Sequence, residues 1–234
     1  MKYLVNLFFY MLILSPNLHQ VNAQKGEIPV GTKLQQSEKL LVKIGMTSKN
    51  KPAKLKFGDY ATVDLKGAST KADGKTKLAF SFVLINKKGD SAFVEAANNS
   101  TKPEDHASKD LSVYITTNID QEDLWVLLMT KTPDKNEFSI ENMFLTNGID
   151  EINFENIIGE QMGKTIETAP RGIEALINGN SIGAMQYYSG GSFSYKKFIW
   201  ISEEFDDQTK LIVASLFSSM MEIADYFEDY TITD

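Results

Sequence analysis

The chain has 234 residues, with 24 lysines and arginines against 31 aspartates and glutamates, a formal net charge of −7, and no cysteine. A deficit of basic charge argues against a nucleic-acid partner, because phosphates must be neutralised by Lys and Arg. The zero cysteine count excludes disulfide frameworks, thiolate metal sites, cysteine nucleophiles and cysteine-linked lipids.

Residues 1–23 read as a cleavable secretory signal. Lys2 supplies a positive end, Tyr3 to Leu14 is an apolar run broken only by Asn6, and Val21-Asn22-Ala23 offers a cleavage site before Gln24. The run is too short to span a bilayer, which needs about 20 residues; the alternative is a buried N-terminal strand or helix. Cleavage would leave 211 residues, take the charge from −7 to −8 by removing Lys2, and leave His106 as the one histidine. No later segment approaches the length of a transmembrane helix, so none is expected after cleavage. Lysine dominates, with Arg171 the single arginine, as in AT-rich bacterial genomes. The expectation is a bacterial exported protein, periplasmic or extracellular. Asn98-Asn99-Ser100-Thr101 contains overlapping glycosylation sequons, which in a bacterium reads as a polar loop.

Residues 24–53 form a polar, lysine-rich lead-in with one apolar patch at Leu40-Leu41-Val42, suited to one strand or short helix. Residues 54–234 read as a single β-rich domain. Leu55, Phe57, Tyr60, Ala61, Val63 and Leu65 lie in a largely alternating stretch that ends at Gly67, hence one strand with one buried face. Leu78–Ile85, the turn cluster Asn86–Asp90 and Ser91–Ala96 read as a hairpin. After a charged loop from Asn98 to Lys109, Leu111–Ile115 resumes the alternation and Leu124–Met129 is apolar throughout. Pro133–Asn136 turns the chain into Phe138–Ile140 and Met143–Leu145, and Asn147-Gly148 is a hairpin signal. Glu151 to Lys164 is open between a short helix and a strand, since Ile152, Phe154, Ile157 and Ile158 suit either while Gly159 and Gly163 weaken a helix. Three strands follow, Gly172–Ile177, Ser181–Tyr188 and Phe193–Ile201, joined at Asn178-Gly179-Asn180 and Ser189-Gly190-Gly191.

The tail is a helix, over about residues 208–227. Asp206-Asp207 is an anionic start that can cap exposed N–H groups and meet the positive end of the helix dipole. Lys210 to Phe227 then contains no glycine or proline, and its apolar residues cover nearly every direction of a 3.6-residue turn. A helix apolar all round is buried on all sides. The expected fold is therefore mainly β, an antiparallel barrel or sandwich enclosing a buried hydrophobic C-terminal helix.

The chemistry-bearing patterns are sparse. Gly179-Asn180-Ser181-Ile182-Gly183 matches G-x-S-x-G, but strand-like residues follow it and no histidine lies C-terminal to Ser181, so a hairpin turn is the better reading. His106, beside Glu104 and Asp105, reads as a solvated loop histidine; one histidine cannot make the usual zinc set. Asn118, Asp120, Glu122 and Asp123 could offer hard oxygens to calcium, yet lack the loop glycine and terminal glutamate of an EF-hand. They read as a solvated turn, and Glu203, Glu204, Asp206 and Asp207 as the helix start. Paired carboxylates for glycoside hydrolysis are set by fold rather than spacing. No glycine-rich phosphate loop occurs, and no cofactor or metal is expected. Tyr187, Tyr188, Phe193, Tyr195 and Trp200, dense in the last hairpin together with Phe198, could line a ligand groove; core packing is the alternative.

Ser181-Ile-Gly-Ala-Met-Gln186, the strand at Lys197-Phe-Ile-Trp-Ile201, and Leu211 to Phe227 ending in Phe227-Glu228-Asp229 resemble the C-terminal part of the tubby and phospholipid-scramblase-like superfamily. The resemblance covers Ser181 to Asp229 and implies a closed antiparallel barrel around a hydrophobic helix. It also hints at lipid recognition, but the family's phosphoinositide-binding basic residues have no counterpart to which that role could be carried. The functional expectation is a non-catalytic binding or interaction protein of the envelope, recognising an apolar or lipid-like ligand or an envelope protein. The alternative is a carboxylate-dependent hydrolase acting on envelope polymers or glycans. A third reading is an envelope component whose strand edges pair with a partner chain.

Overall fold

The computed structural model describes residues 27–45, 53–72, 75–98, 111–131, 138–159, 170–189 and 196–224. The signal-sequence expectation, His106, and the Pro133–Asn136 turn lie outside them. Among the described residues thirteen strands form one antiparallel sheet: β1 Leu40–Leu41, β2 Lys43–Ile44, β3 Leu55–Phe57, β4 Tyr60–Ala72, β5 Lys75–Ile85, β6 Ser91–Asn98, β7 Leu111–Thr117, β8 Trp125–Lys131, β9 Phe138–Thr146, β10 Glu151–Ile158, β11 Arg171–Ile177, β12 Asn180–Tyr188 and β13 Phe198–Ile201. From β2 to β13 each strand pairs with its neighbours in sequence, so the sheet is an up-and-down meander.

Its two edges meet through one short segment. β1 pairs with β13 (Leu40 opposite Ile199) and β2 pairs with β3 (Ile44 opposite Leu55), yet only Val42 separates β1 from β2. The Val42 N–H donates to the Lys197 carbonyl at 3.0 Å. Residues 40–44 therefore bond to both ends of the meander and draw it into a barrel, which is how an antiparallel sheet disposes of its edges.

The hairpins follow turn chemistry. Asn178 and Gly179 both have positive φ, 51° and 73°, the pattern of a type I′ turn that matches strand twist. Gly58 at φ 51° breaks the alternating stretch that suggested one strand into β3 and β4, and β4 runs on past Gly67 to Ala72. A second irregularity, with Asp64 at φ 52°, shifts the β4–β5 register between Val63 and Lys66. The ambiguous segment after Glu151 is strand β10, and Phe138 to Thr146 is one strand rather than two.

Helix α1, Asp207–Ala224, occupies the barrel's interior. Every residue from Leu211 to Ile223 is buried, with no wet flank. Leu211, Leu216 and Phe217 join inward residues such as Phe82, Val94, Ile115 and Leu145 in one cluster. The helix packs against β5, β6 and β7 on one arc and β12 and β13 on another. Close approach to β12 depends on Gly183, where an added Cβ would lie 2.8 Å from Val213 Cγ1 and 2.9 Å from Phe217 Cε2. Three serines are tolerated in this dry setting because Ser215, Ser218 and Ser219 each donate to the carbonyl four residues back at 2.8 Å. The helix starts as its sequence requires: Asp206 Oδ1 accepts the Thr209 N–H at 2.7 Å, and Asp207 meets Lys88 Nζ at 2.6 Å. The Lys88 ammonium holds the Asp207 carboxyl below its ordinary range.

A second, smaller cluster lies on the outside of the wall. The lead-in begins as an arm over β10 to β13, where Ile28 and Leu34 pack with Ile157, Ala184 and Trp200. Gly172 leaves room for it, since a Cβ there would lie 2.4 Å from Ile28 Cδ1. Polar latches fix the arm: the Ile28 N–H donates to the buried Gln186 Oε1 at 3.1 Å and the Gly31 N–H to Glu174 Oε1 at 3.2 Å.

Candidate functional site

The aromatic residues of the last hairpin are divided by the alternation of their strands. Tyr187 packs against the main interior cluster, where burial pushes its phenol up while the Arg171 charge opposes the shift. Tyr188 points to the other side, with Arg171 Cζ 5.8 Å from its ring centroid. Trp200, opposite Ala184, belongs to the outer cluster and is covered by the N-terminal arm; Phe198 lies 6.1 Å from it, centroid to centroid. Tyr187 and Trp200 thus serve opposite faces of one wall and do not share a pocket. Phe193 and Tyr195 lie outside the described residues, and the strand expected from Phe193 is β13, from Phe198.

Ser181 follows the Asn178-Gly179 hairpin turn and continues along β12, so it is not on a strand-to-helix elbow. Its hydroxyl donates to Glu174 Oε1, the oxygen that also receives the Gly31 N–H. That carboxylate is an anchor for the arm.

The acidic stretches resolve into structural contacts. Asn118 Oδ1 accepts the Ser91 N–H at 2.7 Å, and Asp120 Oδ1 accepts the Glu122 N–H at 3.0 Å. Asp123 accepts from Trp125 Nε1 at 2.7 Å, Asn147 Nδ2 at 2.8 Å and Gln208 Nε2 at 2.8 Å, tying two loops and the first turn of α1 together. Glu203 pairs with Lys210 at 2.6 Å and Glu204 with Lys33 at 3.0 Å. Glu222, buried on α1, accepts the Ala53 N–H at 2.9 Å. At the same barrel end as the helix start, burial and the carboxylates of Glu203, Asp207, Asp59 and Asp90 push the Tyr60 phenol up to about 12. Among the described residues, no group of three or more His, Asp and Glu side chains could hold a metal ion.

What the sequence reading missed is on the outer wall. In β6 to β9, Val94, Val113, Ile115, Leu127 and Leu145 point inward and are buried. The alternate positions Phe93, Tyr114, Val126, Leu128 and Phe144 therefore face outward. Phe93 is 49% exposed and Tyr114 37%, and Val126, Leu128 and Phe144 are half-buried. The register makes the row continuous: Tyr114 opposes Val126, Leu128 opposes Phe144, and Phe93, opposite Thr116, is diagonal to Tyr114. At one end of this row the loops present Ile119, Leu124 and Ile149, the last 90% exposed at the tip of the β9–β10 turn. The signal was Leu124–Met129: an apolar run without alternation in an antiparallel wall puts apolar side chains on both faces.

No protein-family model matches the sequence, and neither a curated protein nor a solved structure matches it. Among the described residues no helix is long and apolar enough to cross a membrane.

Proposed function

We propose that this chain is an exported, non-catalytic binding or interaction protein of the bacterial envelope, which meets an apolar or lipid-like ligand or partner on the outside of its barrel. The observation that carries the reading is the complete burial of Leu211 to Ile223. The helix fills the barrel's interior, and among the described residues the outer row from Phe93 to Phe144, with the tips Leu124 and Ile149, is apolar surface left to water, as are Leu41, Ile44, Ile85 and Ile158. Contiguous exposed apolar surface is the usual mark of an interaction site. Export rests on the signal-like residues 1–23, and lipid recognition rests on the resemblance of Ser181 to Asp229 to the tubby and scramblase-like superfamily.

Native mass spectrometry of the purified protein, with lipid extraction and a lipid panel, tests the ligand side; affinity capture from the native envelope tests the partner side. The reading expects a bound apolar molecule or a reproducible envelope partner, lost when Phe93 and Tyr114 are changed to serine. A protein that is repeatedly empty, binds no lipid and captures nothing from the envelope would overturn it.

A further inference from the structure

The outer wall of the barrel is treated differently on its two sides. On β10 to β13 the outward apolar residues Ile157, Ala184 and Trp200 are covered by the chain's own arm. On β6 to β9 the outward row Phe93, Tyr114, Val126, Leu128 and Phe144 is left open among the described residues, and the loop tips Leu124 and Ile149 extend it. These two tips are held side by side, because Asn147 in one loop donates to Asp123 in the other at 2.8 Å.

The loop-tip end of this face is acidic. Residues 111–130 and 138–159 contain seven acidic residues and no lysine or arginine, in a chain that otherwise uses lysine freely. Asp120, Glu122, Asp150 and Glu151 are exposed beside the apolar tips, and Glu95 is exposed opposite Tyr114. Lysines lie at its margins: Lys87 and Lys88 in the β5–β6 turn, with Lys88 paired with Asp207, exposed Lys66 on β4 in line with Ser81 and Glu95, and Lys131 at the far end of β8. Electrostatic complementarity selects partners chiefly by excluding those of like charge. A second copy would bring the same carboxylates against each other, and an anionic bilayer would be repelled in the same way.

We infer that the row Phe93–Tyr114–Val126–Leu128–Phe144, with the tips Leu124 and Ile149, is a docking face for a cationic protein segment that presents apolar side chains between lysines or arginines. The inference rests on the binding-protein reading and deepens it by naming the partner's chemistry. The apolar row supplies contact area, and the acidic surround supplies orientation and choice of partner.

The test uses a fluorescent peptide of alternating lysine and leucine, with a glutamate–leucine and a lysine–serine peptide as comparisons, titrated into the purified chain and followed by anisotropy. The lysine–leucine peptide should bind at least about tenfold tighter than either comparison at roughly physiological salt, and more weakly as salt rises. The pair Leu124→Ser with Ile149→Ser should weaken it about tenfold, as should Glu122→Lys with Glu151→Lys, while Leu41→Ser elsewhere on the barrel should leave it unchanged. Circular dichroism of each variant shows that the fold is retained, which the exposure of Ile149 makes straightforward. Equal binding of the glutamate–leucine peptide, or tip variants that bind like the parent, would overturn the inference. So would binding of neutral phosphatidylcholine vesicles or self-association that depends on the tips while peptide binding does not; that result would leave the broader binding-protein reading standing.

Discussion

The buried side-chain amide of Gln186 receives the backbone N–H of Ile28 at 3.1 Å, across 158 residues of sequence. This bond fastens the start of the N-terminal arm to the outside of β12, beside the Gly31–Glu174 bond and the packing of Ile28 and Leu34. Gln186→Leu removes the acceptor and leaves the Ile28 N–H buried without that bond, a loss of about 1–3 kcal/mol. Limited proteolysis should then cut near Glu27 to Leu34 well before the barrel, whereas the parent chain resists cleavage there.

The approach of helix to wall is set by Gly183. Gly183→Val would drive side-chain atoms into Val213 and Phe217 and toward the Trp200 carbonyl, which an added Cβ already meets at 3.0 Å. Overpacking of this kind costs about 1–3 kcal/mol. Phe217→Ala makes the opposite error, a void at a fully buried ring, at about 3–5 kcal/mol. Urea denaturation of the two variants should show both losses, the second larger.

How much of this was readable beforehand differs by element. Helix α1 was legible because Leu211 to Ile223 holds no glycine or proline and is polar only at three serines and Glu222, and Asp206 marks its start. The Asn178-Gly179 turn was legible because few residue pairs accept two positive φ values. The break at Gly58 was hidden: a two-residue turn keeps Phe57 and Tyr60 paired on the same face, so the apolar spacing runs on almost undisturbed. The bulge near Asp64 then returns Leu65 to the interior side. Ile28 and Leu34 could not be seen as an arm, because two apolar residues six apart fit no period. The aromatic grouping from Tyr187 to Trp200 read as one site because sequence proximity does not distinguish faces, and alternation sends Tyr187 inward and Trp200 outward. The outer row was missed for the same reason: where both parities are apolar, sequence does not say which one meets the helix.

The hairpin at Asn178-Gly179 gives a backbone prediction. Gly179 has φ 73° and open space where its Cβ would be, so Gly179→Ala loses through conformation alone. The expected cost is about 1–2 kcal/mol, and the variant should keep the parent's secondary structure. Gly179→Asn should recover part of the loss, because asparagine tolerates the left-handed region.

Tyr60 gives a pH dependence. Its phenol is pushed up to about 12 by burial and four neighbouring carboxylates, against 10.0 for an ordinary tyrosine. Between those values the unfolded chain has lost the proton that the folded chain still holds, so the stability gained from a neutral Tyr60 is intact below pH 10 and is lost as the pH rises toward 12. Tyrosinate absorbance should show late-titrating tyrosines, Tyr187 among them, with one fewer in Tyr60→Phe, and the alkaline loss of stability should be shallower in that variant.

Thiol accessibility tests the enclosed helix most directly, since the chain has no cysteine to interfere. Single cysteines at Val213, Ala214, Ser215 and Leu216 point in four directions about 100° apart. All four should label more than about a hundredfold slower than a cysteine at the exposed Ile149, because each faces sheet or packed side chain. Rapid labelling at any one of the four in the folded protein would mean that the helix has a wet flank and lies on the sheet instead of within it.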